Sequence, residues 1–382
     1  MDLFDVYPLY PIEPVKALGC QLWDKKGTEY LDLYGGHAVI SIGHSHPHYV
    51  KRLGEQLANI GFYSNAVQNS LQKELALKLG QASGYHEYKL FLCSTGAEAN
   101  ENALKLASFH TGRKKIIAVE GAFHGRTSGA VAATHNPKIV APYNSDHEVE
   151  FIPFNDLDAL ELAIDEDVAG LIIEGIQGVA GLYTPSKEYL QKAQELCEEH
   201  GVVFILDEVQ SGAGRTGKFF AHQHAGIRPD VITLAKGMGN GFPVASVLIF
   251  PQIEPWHGML GTTFGGNHLA CVAALSVLEV LQEEELLANA TELGNYVATE
   301  LTALEGVVEV RGKGLMIGAE FNFPVAELRK KLLFEHQIFT GSSANKNTLR
   351  LLPPLSVTEQ ELEQFFEALK KELPNFHPIS HE

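Results

Sequence analysis

The chain has 382 residues, about two to three times the size of a typical domain, so a large core and more than one lobe are expected. Hydrophobic residues make up 45% and charged residues 20%, a balance that argues against a disordered or fibrous protein. Aspartate and glutamate outnumber lysine and arginine by 47 to 29, a net charge of −18, which disfavours binding to nucleic acid or to an anionic membrane.

Short apolar segments rich in β-branched residues alternate with helical patterns through most of the chain. Seven are predicted as strands: Lys89–Ser94, Lys115–Glu120, Glu150–Phe154, Ala169–Glu174, Val202–Glu208, Asp230–Lys236 and Val244–Phe250. Most are apolar throughout, as in strands covered on both faces of a sheet. A helix from a Ser186 cap to a stop at Gly201 predicts a right-handed βαβ crossover. The fold class is therefore α/β, with a mostly parallel seven-stranded sheet.

The pattern changes after about Leu281. A long amphipathic helix, two alternating strands with a turn at Gly312–Gly314, and a last helix that begins at Thr358 with Glu361 three residues later are predicted. We interpret this part as a smaller α+β domain that the N-terminal strands complete. Three units are expected: an N-terminal segment at 1–40, a large domain at 41–275 and a small C-terminal domain at 276–382.

The cysteines are far apart in sequence and form no C-x-x-C pair, which predicts reduced thiols in a cytoplasmic protein. They are Cys20, Cys93, Cys197 and Cys271. The acidic, proline-containing N-terminus shows no export signal. His44, His46 and His48 alternate in sequence, but a proline interrupts the segment, so no metal site is predicted.

A possible anion site follows the first predicted strand of the sheet. Thr95 to Glu98 fits the capping box T-x-x-E at the start of a helix. The free N–H groups and the dipole of such an end suit a phosphate, although a capped helix without a ligand is the alternative. No Walker pattern and no strand-linked G-x-G-x-x-G occur, so a nucleotide phosphate is not expected.

Charged residues close two strands that are expected to be neighbours. Asp207 and Glu208 end one strand and Lys236 ends another, at the sheet edge where open α/β proteins bind ligands. An ion pair without a ligand is the alternative, but the glycine-rich KGMGNGFP leaves backbone room beside Lys236. A lysine amine, a carboxylate for a pyridine nitrogen and a helix end for a phosphate together match the chemistry of pyridoxal phosphate (PLP).

Eight segments run in a recognisable order from about Tyr30 to Leu355. They are STGAEANENALKLA, GAFHGRTSGA, EGIQGVAG, LDEVQSGAGRTGKFFAHQ, LAKGMGNGFPVA, GTTFGGNHLA, VRGKGLMIG and LRLLPPL. Together they resemble the class III (subgroup II) PLP-dependent aminotransferases of fold type I, and most closely the acetylornithine/succinylornithine aminotransferase family. The resemblance implies a homodimer that transfers the terminal amino group of an N2-acyl-L-ornithine to 2-oxoglutarate in arginine biosynthesis.

The resemblance also implies which residues bind PLP. Lys236 would be the Schiff-base lysine and the acid/base of the reaction, and Asp207 would pair with the pyridinium nitrogen. Gln210 would reach the ring 3-hydroxyl, and Phe123 would stack on the ring. The phosphate would be held by Thr95, Gly96, Ala97 and, from the partner subunit, Thr263.

Two arginines would bind the substrates: Arg126 the distal carboxylate of the amino donor, and Arg350 the α-carboxylate of 2-oxoglutarate. The chain departs from many relatives at 63–69, where they place aromatic residues, and at Val179, where they have a glutamate thought to mask the second arginine. Val179 removes an acid that would repel a further carboxylate. The segments HAVISIG and EGIQGV also resemble those of the bacterial branch that uses N-succinylornithine. Together these features favour N-succinylornithine over N-acetylornithine as the donor.

Other functions remain as alternatives. Ornithine, succinyldiaminopimelate or 4-aminobutyrate is the donor of related class III enzymes. A non-catalytic PLP-binding protein would be expected to lack Lys236 or Asp207, and both are present. A nucleotide-dependent oxidoreductase would need a glycine-rich fingerprint followed by an acidic residue, which the sequence does not contain.

Overall fold

The structure is a computed structural model that describes residues 1–376. The chain begins with three antiparallel strands of a small mixed sheet, β1 (Pro14–Leu18), β2 (Gln21–Asp24) and β3 (Glu29–Asp32). A single turn, α1 (Gly35–Ala38), and the helices α2 (Pro47–Asn59) and α3 (Ser70–Ser83) follow. These elements lead the chain from the first sheet to the large one.

The large sheet has seven strands and confirms the predicted α/β class. They are β4 (Lys89–Cys93), β5 (Lys115–Val119), β6 (Val149–Ile152), β7 (Val168–Glu174), β8 (Val203–Asp207), β9 (Val231–Leu234) and β10 (Ala245–Ile249). Their order is β4-β10-β9-β8-β7-β5-β6, and only β10 is antiparallel to its neighbours. Each lies within two residues of its predicted bounds.

Helices connect these strands and cover the sheet. They are α4 (Gly96–Thr111), α5 (Ser128–Ala132), α6 (Leu157–Ala163) and α7 (Lys187–His200). The predicted ends of α7 are confirmed: the Ser186 side chain accepts a hydrogen bond from Tyr189 N, and Gly201 has a φ of 61°. Every residue of β7, β8 and β9 is buried, as their uninterrupted apolar sequences predict.

The C-terminal part combines helices with a three-stranded sheet. Its elements are α8 (His268–Glu283), α9 (Leu286–Thr302), β11 (Val307–Lys313), β12 (Met316–Phe321), α10 (Ala326–Glu335), β13 (Ile338–Phe339), β14 (Thr348–Leu351) and α11 (Glu359–Glu372). The predicted capping box of Thr358 and Glu361 begins α11. Because β13 pairs with β3, the N-terminal strands and the C-terminal part share a sheet. The division at residues 40 and 275 stays a prediction, and the second position falls inside α8.

The cysteines and the alternating histidines are all engaged in packing or polar contacts. The four cysteines are buried and unbonded. The histidines each contact a different carboxylate, in the pairs His44–Asp32, His46–Glu284 and His48–Glu279. Within residues 1–376 there is no group of three or more possible metal ligands, and no helix is long and apolar enough to span a bilayer.

Arg215 links three distant parts of the chain through its buried guanidinium. It is 2% exposed, and its Nη1 donates to the carbonyls of Leu315, at 3.4 Å, and Pro353. Its Nη2 donates to the carbonyl of Ile40, at 3.4 Å. Burial lowers the pKa of Arg215 to about 10. The side chain therefore joins the large domain, the N-terminal segment and the C-terminal part through neutral acceptors.

Replacing Arg215 with Met keeps an unbranched apolar stem but removes the guanidinium, so these carbonyls lose their donor. We expect Arg215→Met to lower the free energy of unfolding by roughly 2 kcal/mol, the cost of unsatisfied buried acceptors. Urea unfolding followed by circular dichroism measures the change. The matched control is Lys370→Met, which removes an exposed ion pair with Glu300 and is expected to cost less than about 1 kcal/mol. Equal stability of the two variants would contradict this role.

Candidate active site

The candidate site lies at the carboxyl ends of three neighbouring parallel strands. Asp207 is the last residue of β8, and Lys236 follows β9 by two residues. Glu174 ends β7 directly beside Asp207 in the sheet register. All three side chains line one cavity of about 410 Å³. The sheet topology thus brings together the carboxylate and the amine that the sequence placed at strand ends.

Eight of the ten predicted site residues line this cavity. They are Thr95, Gly96, Ala97, Phe123, Arg126, Asp207, Gln210 and Lys236. Thr263 does not, because it is exposed in a loop outside the cavity. Arg350 is also absent from the lining: it is 5% exposed, and its guanidinium donates to the Gly178 carbonyl and to Tyr34. The 63–69 segment lies outside the cavity as well.

The start of α4 forms one end of the cavity. Thr95 is the N-cap, and its Oγ1 accepts a hydrogen bond from Glu98 N at 3.1 Å. In a capping box the Glu98 carboxylate would accept a hydrogen bond from Thr95 N. This detail of the prediction is wrong, because the carboxylate accepts from Ser94 N, one residue earlier. A Cβ at Gly96 would lie 2.6 Å from Val209, so only glycine fits there. The first N–H groups of a helix have no acceptor within it, which leaves those of Gly96 and Ala97 for an anion.

Asp207 is fixed by three hydrogen-bond partners. Its Oδ2 lies 2.7 Å from Asn100 Nδ2 and 2.7 Å from His124 Nδ1, and its Oδ1 accepts from Val209 N at 2.9 Å. The side chain is 4% exposed. The sequence reasoning missed Asn100 and His124, although both belong to segments that carry the family resemblance. Together they hold the carboxylate in one orientation toward the cavity.

Lys236 sits on a strained stretch of backbone. Its φ is 40°, in the left-handed region that residues other than glycine rarely adopt. The next residue is held by Ser41, whose Oγ donates to the Gly237 carbonyl at 2.6 Å. Burial lowers the pKa of Lys236, while the charges of Asp207 and Glu174 raise it. The amine is therefore easier to deprotonate than a lysine in water, which suits a nucleophile and proton carrier.

Glu174 is a site residue that the sequence reasoning missed. It is 6% exposed, and its two oxygens accept hydrogen bonds from Phe123 N at 2.9 Å and Gly178 N at 3.1 Å. Burial raises its pKa to about 7, and Asp207 adds to the rise. The sequence did contain a signal for Glu174, because it is the last residue of a predicted parallel strand. The same criterion identified Asp207. Glu174 joins two loops that border the cavity.

These residues fit PLP. The cavity offers a lysine amine, a fixed carboxylate and a helix start with glycine at the crowded position. Two buried polar atoms, Gln210 Oε1 and His124 Nε2, have no hydrogen-bond partner within residues 1–376. Gln210 lines the cavity, so its amide oxygen is available to a bound group.

Comparisons with known proteins agree with this reading of the cavity. Residues 6–373 match the family model "Aminotransferase class-III". The chain is 42% identical to the acetylornithine aminotransferase of Archaeoglobus fulgidus, over 92% of both chains. Among solved structures, the ornithine aminotransferase of Toxoplasma gondii ME49 has a TM-score of 0.90 at 29% identity, covering 96% of this chain and 91% of that one. The acetylornithine aminotransferase of Elizabethkingia anophelis has a TM-score of 0.82 at 32% identity, covering 97% and 95%.

The charge of Glu174 predicts a measurable change at Lys236. A nearby anion favours a protonated amine, so Glu174→Gln is expected to lower the pKa of Lys236. Covalent uptake of PLP needs the neutral amine, so its rate in the PLP-free protein should reach its plateau at lower pH in the variant. Absorbance followed across a pH series measures this. The control Glu166→Gln alters an exposed carboxylate, and a shift toward higher pH in Glu174→Gln would show that its charge does not act on Lys236.

Proposed function

Because the chain belongs to the class-III aminotransferases, we propose that it is a PLP-dependent transaminase that transfers the terminal amino group of an N2-acyl-L-ornithine to 2-oxoglutarate. One observation carries the proposal: Lys236, Asp207 and the start of α4 meet in a single cavity at the carboxyl edge of the sheet. The products are the acylglutamate semialdehyde and glutamate, and the step belongs to arginine biosynthesis.

PLP, when bound, supplies an electron sink for negative charge that develops on the substrate carbon. The residues around it have separate tasks. The N–H groups of Gly96 and Ala97, with the Thr95 side chain, bind the phosphate. Asp207, fixed by its partners, would keep the ring nitrogen protonated, and Lys236 Nζ would attach the cofactor and carry a proton during transfer.

Other residues orient the cofactor and the substrates. Phe123 and Gln210 line the cavity, where Phe123 would pack on the ring and Gln210 would bind its 3-hydroxyl. Arg126 is exposed and lines the cavity, which suits a site for the distal carboxylate of the donor. We assign Arg350 to the α-carboxylate of 2-oxoglutarate, and its charge is close enough to Lys236 to lower the pKa of that amine.

The donor we propose is N-acetylornithine, which appears in the names of the A. fulgidus and E. anophelis relatives. The sequence favoured N-succinylornithine, and one observation keeps that donor as a second candidate. Val179 lines the cavity and is 39% exposed, so the wall carries no acid at this point. Ornithine itself appears in the name of the T. gondii structure and is a third candidate.

The working unit we propose is a homodimer in the cytoplasm. Thr263 is exposed and lies outside the cavity of its own chain, which suits a residue that completes the phosphate site of a partner. The adjacent Phe264 is 63% exposed and packs against Phe62, 44% exposed, with ring centres 5.4 Å apart. Such exposed aromatic side chains are common in the buried centres of subunit interfaces.

Replacing Lys236 tests the assignment of the cavity. Lys236→Ala should fold and still bind PLP through the phosphate site, but without the covalent attachment that borohydride reduction fixes. Transamination is expected to fall at least about 10³-fold, because the covalent anchor and the proton carrier are lost together. The control Lys218→Ala removes an exposed lysine outside the cavity. Activity in Lys236→Ala close to that of the control would show that the cavity is not the active site.

Steady-state kinetics with three donors test the substrate. We expect kcat/KM for N-acetylornithine to exceed that for N-succinylornithine and ornithine by at least about tenfold, or 1.4 kcal/mol. Val179→Glu should weaken the succinyl donor more than the acetyl donor, because the new acid repels only the added carboxylate. A native preference for N-succinylornithine would overturn the acetyl proposal and support the charge argument from the sequence.

A further inference from the structure

Arg350 is a buried cation that is held entirely by neutral groups. Its Nη1 donates to the Gly178 carbonyl at 2.7 Å, and its Nη2 donates to Tyr34 Oη at 3.0 Å. Its Nε is buried and has no partner in the described part of the chain. No carboxylate of residues 1–376 forms an ion pair with it. A buried guanidinium with neutral partners and a free donor retains most of its capacity to bind an anion.

Tyr34 is in turn held by His37. The Tyr34 Oη lies 2.6 Å from His37 Nδ1, and the two ring centres are 4.8 Å apart. Since Arg350 only donates, Tyr34 accepts from it and gives its own hydroxyl proton to a neutral His37. Burial and the charges of Arg350 and Lys236 lower the pKa of His37, which favours that neutral form. The three side chains thus form a hydrogen-bonded chain that carries one net charge, on Arg350.

The turn that follows Tyr34 and carries His37 is conformationally strained. All four residues of α1 have a positive φ, including His37 at 69° and Ala38 at 62°. The carbonyl of His37 accepts from Gln210 Nε2 at 3.1 Å, which ties the turn to the cavity wall. On the other side, a Cβ at Gly341 would lie 2.3 Å from the Tyr34 ring, so the ring packs directly on backbone paired with Arg350. Strain of this kind is typical of functional segments.

We propose that Tyr34 and His37 form a neutral cover that a carboxylate must displace to reach Arg350, and that this cover sets the affinity for the dicarboxylic acceptor. The proposal rests on the function proposed above, in which Arg350 binds that acceptor. Arg350 does not line the cavity, and its Nη2 is occupied by Tyr34. Tyr34 and His37 also lie behind the lining, which His37 contacts through Gln210. Val179 supplies no carboxylate that could cover the arginine instead. Tyr34 and His37 act through Arg350 and are therefore positioning residues.

Binding of glutarate, a dicarboxylate that cannot accept an amino group, tests the cover directly. In Tyr34→Phe the Arg350 guanidinium loses the hydroxyl that accepts from its Nη2 in the free protein. A carboxylate of the bound ligand can then accept that hydrogen bond without displacing a side chain. We expect calorimetry on the PLP-loaded protein to show glutarate bound about tenfold more tightly than in the native protein. His37→Phe should act in the same direction but less, because Tyr34 keeps its hydroxyl. Tyr30→Phe is the matched control, since Tyr30 is a buried tyrosine whose hydroxyl binds Asp24.

A double variant shows whether Tyr34 acts through Arg350. In an Arg350→Lys background the effect of Tyr34→Phe on glutarate binding should disappear, because the bidentate donor is gone. In native Arg350, the KM for 2-oxoglutarate should fall about tenfold in Tyr34→Phe while the KM for the amino donor stays unchanged. Unchanged or weaker glutarate binding in Tyr34→Phe overturns the proposal, as does an effect that persists beside Arg350→Lys. Glutarate binding involves no donor, so an error in the proposed donor would appear only in the kinetics.

Discussion

The site depends on the removal of charged groups from water at the edge of the large sheet. Asp207, Glu174, Lys236 and Arg350 are mostly shielded from solvent, and burial is the largest cause of the pKa shifts of the last three. Burial favours the neutral amine of Lys236, whereas the two carboxylates favour its protonated form. Hydrogen bonds from the surrounding backbone and side chains hold both carboxylates in place, so the electrostatic environment of Lys236 depends on the parts of the fold that supply those donors.

The order of the strands explains why three strands and the loops after them are enough to form most of the site. Neighbouring parallel strands β7, β8 and β9 bring their last residues to one edge, and the loops after them carry Gly178, Gln210 and Lys236. A Cβ at Gly178 would lie 1.9 Å from Gln210 Oε1, so a side chain there would displace the Gln210 amide from its present position. Glu174 accepts a hydrogen bond from Gly178 N, and Arg350 donates one to Gly178 O, so one glycine residue links a carboxylate of the large sheet to an arginine on β14.

The sequence predicted the large sheet and most of the cavity, because both follow from local pattern. Uninterrupted apolar runs identify buried parallel strands, and charged residues at their ends identify the binding edge. Asn100, His124 and Tyr34 were missed because their roles depend on partners 107, 83 and 316 residues away in the chain. Such long-range contacts leave no local periodicity, and only the folded chain reveals them. The same is true of Arg215, whose buried guanidinium has no sequence signature.

The two arginines proposed to bind substrate differ in a way that bears on selectivity. Arg126 is exposed at the cavity, so a carboxylate there gains only the modest free energy of a surface ion pair. Arg350 has already lost its water, and its neutral partners compensate only part of that loss. A carboxylate that reaches Arg350 therefore gains more than one that reaches Arg126. Under the proposed assignment, discrimination between donor and acceptor would depend on how readily Tyr34 and His37 release Arg350, rather than on the number of charges in the pocket.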